Sequence, residues 1–191
     1  MSSNKSLVER ETAIAALQSA LAHARTNAGR VVLVRGEAGI GKTSILRVWA
    51  VMAAGQRAHV HWGGCEALFT PRPLGPVIDM ASMLGPDVRA AFLAHKPPAE
   101  LFATVANWLQ ATSGSVGQMA GEREVNVLVF EDVHWADHLT LDFLKYLGRR
   151  VHHWPVLLVL TYRDDEVGPM HPLTQVVGEL PSANVTTVDL Q

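Results

Sequence analysis

Residues 31–43 read VVLVRGEAGIGKT, and this stretch decides the fold. Its first four residues, Val31–Val34, are a short run of mostly β-branched apolar residues, a pattern typical of a strand that is buried on both faces. A glycine-rich segment, Gly36–Thr43, follows almost directly. Residues 45–54 then have the pattern of a helix, which Gly55 ends. The sequence therefore predicts a strand, a glycine-rich loop and a helix in immediate succession.

The loop has the spacing G-x-x-x-x-G-K-T, a pattern typical of phosphate-binding loops. Its glycines let backbone N–H groups turn toward an anion, and the N-terminus of the next helix adds its positive dipole. Lys42 can reach the β- and γ-phosphates of a nucleotide, and the hydroxyl of Thr43 can bind Mg²⁺. The alternative is a glycine-rich turn that matches by chance, and the flanking strand and helix argue against it. The predicted nucleotide contacts in the loop are Gly36, Glu37, Ala38, Gly39, Ile40, Gly41, Lys42, Thr43 and Ser44.

The rest of the chain alternates apolar strands with helices. We predict further strands at 58–61, 125–130, 155–161 and, less apolar, 184–188. We predict helices at 7–25, 77–84, 87–94, 99–111 and 137–150, loops at 63–76 and 112–123, a positive φ at Gly29 and an N-cap at Asp137. Continuous apolar strands that alternate with helices indicate an α/β fold, in which helices cover both faces of a parallel sheet. Ligands bind at the carboxyl ends of the strands in such sheets, so the chemistry should follow each strand.

The composition narrows the class of protein. The chain has 191 residues, of which 48% are hydrophobic and 18% charged, with a net charge of −2. This length suits one domain, or one domain plus a fragment, and the lone Cys65 fits a reducing compartment. A charge near zero argues against a nucleic-acid-binding module, and neither a secretory signal nor a membrane-spanning apolar run is present in the sequence. We therefore expect a cytoplasmic domain that binds neither nucleic acid nor membrane.

Charged side chains follow the two most apolar strands. Glu131 and Asp132 come directly after residues 125–130, and adjacent carboxylates at the end of a buried strand favour a bound cation. One carboxylate would hold the metal ion and the other would orient or deprotonate an attacking water. Arg163 follows the strand at 155–161, where it can sense a γ-phosphate. The alternatives are an exposed acidic turn and a solvated arginine paired with one of the two aspartates that follow it.

Five segments together resemble the nucleotide-binding domain of STAND-type P-loop ATPases, a branch of the AAA-related group. Within that branch the chain is similar to the ATPase domain of large ATP-binding regulators of the LuxR family. The segments "EDVHWAD" and "TYR" are the most specific, because they separate this group from other P-loop proteins. The five segments are Leu7–Glu11, Gly36–Thr43, Gly64–Glu66, Val129–Asp137 and Leu160–Arg163.

The resemblance implies a three-layer P-loop NTPase fold whose five-stranded parallel sheet has the order 5-1-4-3-2. It implies ATP or ADP with Mg²⁺ as ligands, Glu131 with Thr43 at the metal ion and Asp132 at the attacking water. Arg163 would sense the γ-phosphate, with Lys42 and Asp132 in the catalytic set, and Val8 and Arg10 would frame the adenine. The sequence departs from the family pattern at Glu9, where a glycine is usual, and in its Glu-Asp order.

The function that this resemblance implies is an ATP-driven switch in a larger signal-responsive transcriptional regulator. Residues 1–191 would form the nucleotide-binding core, and the lid and effector domains would lie outside this chain. Partners would be the downstream domains and, with nucleotide bound, other copies of the chain. Hydrolysis should be weak or absent in isolation. The alternatives are the same module serving a cyclase or kinase effector, a small-molecule kinase, and a scaffold that binds nucleotide without turnover. His134 and His138 have metal-ligand spacing, but the preferred interpretation is that His134 and Trp135 pack beside the nucleotide pocket or cap the next helix.

Overall fold

A computed structural model describes residues 2–26, 28–113 and 123–191, with side chains from Arg10 onward. Within these residues the chain forms five strands and seven α-helices. The strands are β1 (Arg30–Arg35), β2 (Ala58–Gly64), β3 (Val125–Glu131), β4 (Val156–Tyr162) and β5 (Val185–Asp189). The helices are α1 (Ser2–Ala24), α2 (Lys42–Ala54), α3 (Gly75–Ala81), α4 (Pro86–Leu93), α5 (Pro98–Thr112), α6 (His138–Gly148) and α7 (Pro172–Gly178).

All five strands belong to one parallel sheet with the order β2-β3-β4-β1-β5. This is the predicted order 5-1-4-3-2 counted from the other edge, so the fold class is confirmed. β4 lies between β1 and β3, and Val32 of β1 stands opposite Val159 of β4. The insertion of β4 brings the carboxyl ends of β1, β4 and β3 side by side at one edge of the sheet.

Helices cover both faces of the sheet, because alternate residues of each central strand point to opposite sides. On one face Val32 and Val127 pack with Leu17 of α1 and with Leu46 and Trp49 of α2. On the other face the strands pack against the remaining five helices through a larger cluster that includes Leu33, Phe130, Leu160, Met80, Val88, Phe102, Phe143 and Leu173. β3 is buried along six of its seven residues and β4 along all seven, as their apolar sequences predict.

The structure corrects the predicted role of Gly29. Gly29 does not have a positive φ, so it does not end α1 in a left-handed conformation. A Cβ at this position would lie 2.1 Å from the carbonyl oxygen of Val151 and 2.6 Å from that of Val156. Glycine is therefore required because two backbone segments approach it closely.

Two other predictions needed revision. β2 extends through Gly63 and Gly64, which the sequence analysis assigned to a loop, because both residues pair with β3. The helix α7 was not predicted, since it has only seven residues and buries only Leu173 and Val176.

The predicted connection 112–123 lies mostly outside the described residues. The N-cap at Asp137 is observed, with its carboxylate accepting from the N–H groups of Leu139 and Thr140. No helix of the described chain combines the length and the hydropathy that crossing a bilayer requires.

Candidate functional site

The glycine-rich loop turns between β1 and α2 through two residues in the left-handed region, Gly39 with φ 75° and Gly41 with φ 100°. Gly36 starts the loop where β1 passes close to the end of the chain. A Cβ on Gly36 would lie 2.5 Å from the carbonyl oxygen of Leu190. The loop therefore needs glycine at Gly36 for space and at the other two positions for backbone conformation. Glu37 and Ala38 are exposed, so the backbone around them is open to a ligand.

Lys42 begins α2 and its side chain folds back over the loop. Its Nζ donates to the carbonyl oxygens of Gly36 at 2.6 Å and Glu37 at 2.9 Å. The residue is buried, and this burial lowers the pKa of its ammonium group below the ordinary value, while the charge of Asp132 opposes the shift. Both of these acceptors are neutral carbonyls, so the positive charge of Lys42 can attract a phosphate that enters the loop.

The next residue links the loop to the neighbouring strand. Thr43 Oγ1 donates a hydrogen bond of 2.5 Å to Glu131 Oε1. A hydroxyl and a carboxylate are the kind of oxygen ligands that Mg²⁺ prefers, beside phosphate and water. The residues at this point therefore fit the metal ion that the sequence predicts, with Thr43 and Glu131 as its protein ligands.

Asp132 turns the chain sharply after β3. Its backbone is left-handed, with φ 52° and ψ 46°, a conformation that Asp adopts more readily than most residues. Its N–H donates to Thr161 Oγ1 at 2.9 Å, so β4 holds this turn in place. Thr161 is not among the predicted site residues. The signal in the sequence was a threonine at the end of the otherwise apolar predicted strand 155–161.

An open pocket of about 250 Å³ brings the predicted residues together. Arg163, which follows β4, is part of its wall. The structure thus places the predicted lysine, threonine, aspartate and arginine around one space. The pocket is lined by Gly39, Gly41, Lys42, Thr43, Ser44, Asp132 and Arg163.

Arg163 also has a partner that the sequence analysis missed. Its guanidinium forms an ion pair with Glu166 and lies over the ring of Trp135, 4.7 Å from the ring centre. The predicted alternative of an arginine paired with a neighbouring acid is thus observed in part, with Glu166 and not Asp164 or Asp165 as the partner. Three consecutive carboxylates follow Arg163, and only the three-dimensional turn shows which of them contacts it.

The residues predicted to frame the adenine are only partly described. Arg10 is exposed and reaches the loop, because a Cβ on Gly41 would lie 3.6 Å from its Nη2. The side chain of Val8 lies outside the described residues, so its role stays a prediction. Ile40 packs back on the loop, with its Cγ2 3.2 Å from a Cβ built on Gly36.

His134 is buried in the short 3₁₀ helix Val133–Trp135 that follows Asp132. Its ring lies 4.5 Å from that of Trp135, and burial lowers its pKa. His138 is exposed at the start of α6. Among the residues that the structure describes, no group of three or more His, Cys, Asp or Glu side chains is arranged to hold a metal ion.

Comparison with solved structures finds the same fold in chains of two Drosophila ORC structures. One, in a structure of ORC bound to DNA, has a TM-score of 0.57 at 14% identity, covering 98% of this chain and 92% of that chain. The other, from ORC bound to GC-rich DNA and Cdc6, has a TM-score of 0.58 at 14% identity, covering 99% and 58%. A STAND protein with a tetratricopeptide repeat sensor from Pyrococcus horikoshii gives 0.48 at 17% identity, covering 91% and 22%.

No curated protein sequence matches the chain. Residues 6–159 match the family model of the AAA ATPase domain. The match covers the glycine-rich loop, the Glu131–Asp132 pair and most of β4. This chain therefore belongs to the AAA ATPase domain family, a family of nucleotide-binding P-loop proteins.

Proposed function

We propose that this domain binds ATP and ADP with Mg²⁺ and acts as a nucleotide-dependent switch that hydrolyses ATP slowly. The observation that carries the proposal is the pocket itself. Lys42, Thr43, Asp132 and Arg163 line one space at the carboxyl edge of the sheet, and Thr43 is hydrogen-bonded to Glu131. Membership of the AAA ATPase domain family supports the same role.

Each residue would do one part of the chemistry. The ammonium of Lys42 would neutralise charge on the β- and γ-phosphates, and Arg163 would contact the γ-phosphate. Asp132 would orient the attacking water and accept its proton. A bound Mg²⁺, held by Thr43 and Glu131, would neutralise phosphate charge. Asp132 is one methylene shorter than a glutamate, and this shorter reach supports slow turnover.

The wider role that we propose is the ATPase core of a signal-responsive transcriptional regulator in the cytoplasm, similar to LuxR-family regulators. In this proposal residues 1–191 form the core, and a lid and effector domains belong to the full-length protein. Exposed apolar side chains on α2 would contact such partners. They are Val48, Val51 and Met52, which are 57%, 76% and 44% exposed. Nucleotide-dependent self-association would use similar surface. The alternative proposals are a cyclase or kinase effector, and a scaffold without turnover.

Calorimetric titration of ATP and ADP with Mg²⁺ tests the site. The wild-type chain should bind both nucleotides, and Lys42→Ala should lose most of this affinity. Lys145→Ala is the matched control, because Lys145 also forms a polar contact, an ion pair with Glu179, but lies on α6. Equal nucleotide binding by the wild type and Lys42→Ala would reject the site.

Turnover separates the switch from the scaffold. Slow release of phosphate from ATP that Asp132→Asn abolishes, with ATP still bound, would support hydrolysis at this site. Binding without any phosphate release by the full-length protein would support the scaffold. Transfer of phosphate that depends on an added metabolite alcohol would instead indicate a small-molecule kinase.

A further inference from the structure

Glu166 lies in the turn after β4 and uses its two carboxylate oxygens differently. Oε1 accepts from Arg163 Nη1 in the ion pair described above. Oε2 accepts from the indole N–H of Trp135 at 3.2 Å and lies 3.5 Å from Nε2 of His134. The ion pair with Arg163 lowers the pKa of Glu166, so the carboxylate is charged at neutral pH. One oxygen thus holds the arginine, while the other is bonded to the 3₁₀ helix.

Arg163 in turn has two possible anionic partners. Its side chain is 28% exposed and lines the open pocket described above, while its guanidinium is already paired with Glu166. Carboxylate and phosphate oxygens both accept hydrogen bonds from guanidinium in the same geometry. A γ-phosphate in the pocket would therefore compete with Glu166 for Arg163. ADP has no γ-phosphate, so it would leave the ion pair in place.

We propose that Glu166 is a specificity-determining residue that lowers the affinity of this pocket for ATP relative to ADP by holding Arg163. This inference rests on the proposed function of the pocket. When a γ-phosphate takes Arg163, only the bond at Oε1 must break. The bond from Trp135 to Oε2 keeps Glu166 in position to recapture the arginine after the γ-phosphate leaves. Glu166 therefore makes the position of Arg163 depend on which nucleotide is bound.

The test is the ratio of two dissociation constants, for ADP and for a non-hydrolysable β,γ-imido analogue of ATP, both with Mg²⁺. Glu166→Gln keeps the size of the side chain and removes its charge. It should raise the affinity for the ATP analogue relative to ADP by roughly fivefold, the effect expected from one partly exposed ion pair. The affinity for ADP should change little.

Three further variants separate this effect from general electrostatics. Asp164→Asn removes a carboxylate in the same turn, but Asp164 is not the ion-pair partner of Arg163. Glu179→Gln removes the acid of an ion pair with similar exposure, formed with Lys145 on α6. Neither should change the ratio. In an Arg163→Ala background, Glu166→Gln should also leave the ratio unchanged, because the residue that Glu166 acts through is absent.

The outcomes are distinguishable. An unchanged ratio in Glu166→Gln, with nucleotide binding that still depends on Lys42, would overturn this inference and leave the proposed function intact. A rise of equal size in Asp164→Asn, or in the Arg163→Ala background, would also overturn it, since simple repulsion would then explain the effect. If no nucleotide binds in a Lys42-dependent manner, the proposed function and this inference both fail.

Discussion

Thr43 and Glu131 are 88 residues apart in the chain, yet their side chains meet through a hydrogen bond of 2.5 Å. The bond joins the first turn of α2 to the end of β3. Both elements are fixed by apolar packing on the same face of the sheet, α2 through Trp49 and β3 through Val129. The position of the proposed metal ligands is therefore set by the core and not by a flexible loop.

Glu131→Gln should weaken the Mg²⁺-dependent part of ADP binding. The amide oxygen can still accept from Thr43, but the charge that attracts the cation is lost. We expect ADP affinity with Mg²⁺ to fall on the order of tenfold, with affinity in EDTA unchanged. Calorimetric titration of ADP, once with Mg²⁺ and once with EDTA, measures the two affinities. Glu124→Gln is the control, since Glu124 contacts His59 on the exposed surface. An equal loss in EDTA would contradict a metal-binding role.

Thr161→Val should destabilise the turn at Asp132. The hydroxyl of Thr161 is buried and accepts from the N–H of Asp132, which valine cannot replace. We expect the free energy of unfolding in urea to fall by roughly 1–3 kcal/mol. Thr161→Ser should restore most of the loss because it keeps the acceptor. If serine is no better than valine, the hydrogen bond does not stabilise the turn.

Asp137→Ala should destabilise the start of α6. The carboxylate accepts from the N–H groups of Leu139 at 2.9 Å and Thr140 at 3.0 Å, and from the N–H of Leu74 at 3.2 Å. We expect a loss of about 1–2 kcal/mol in the free energy of unfolding. Asp142→Ala, an exposed acid on the same helix, should change it by less than about 0.5 kcal/mol. Equal effects of the two substitutions would argue against the cap.

Cys65 should make the free energy of unfolding fall as pH rises in the alkaline range. Burial, helped by the charges of Asp137, Asp132 and Asp79, raises the pKa of its thiol from 9.0 to about 12. Between these values the folded protein keeps a proton that the unfolded chain releases, so the free energy of unfolding falls as pH rises. Below pH 9.0 the thiol is protonated in both states, and the stability associated with the protonated thiol is fully present.

The measurement compares urea unfolding of the wild type and Cys65→Ala at about pH 8 and about pH 10. The wild type should lose more stability than the variant across this interval. The difference between the two proteins isolates Cys65, because Lys42 and Tyr162 titrate in both. Equal losses would show that the thiol is not protected by burial.

The sequence predicts the centre of this molecule better than its edges. Apart from Asn126 and the residues at their ends, β1, β3 and β4 are apolar, and such runs have few alternatives to a buried parallel strand. The edge strand β2 is less apolar, and its glycines hid its last residues because glycine usually signals a loop. The glycine-rich loop and the Glu131–Asp132 pair were recognisable because their residues are adjacent in the chain. Glu166 was not, since its role depends on which way the turn after β4 points.

In the proposed mechanism, the left-handed backbone of Asp132 limits how far its carboxylate could be lengthened to speed hydrolysis. A longer carboxylate at this position would reach further toward a γ-phosphate. However, the left-handed region is populated more often by aspartate than by glutamate, so the longer side chain would strain the turn. Side-chain reach and backbone preference thus oppose each other at residue 132. If Asp132 acts as proposed, faster hydrolysis would require a change in the turn itself, together with its bond to Thr161.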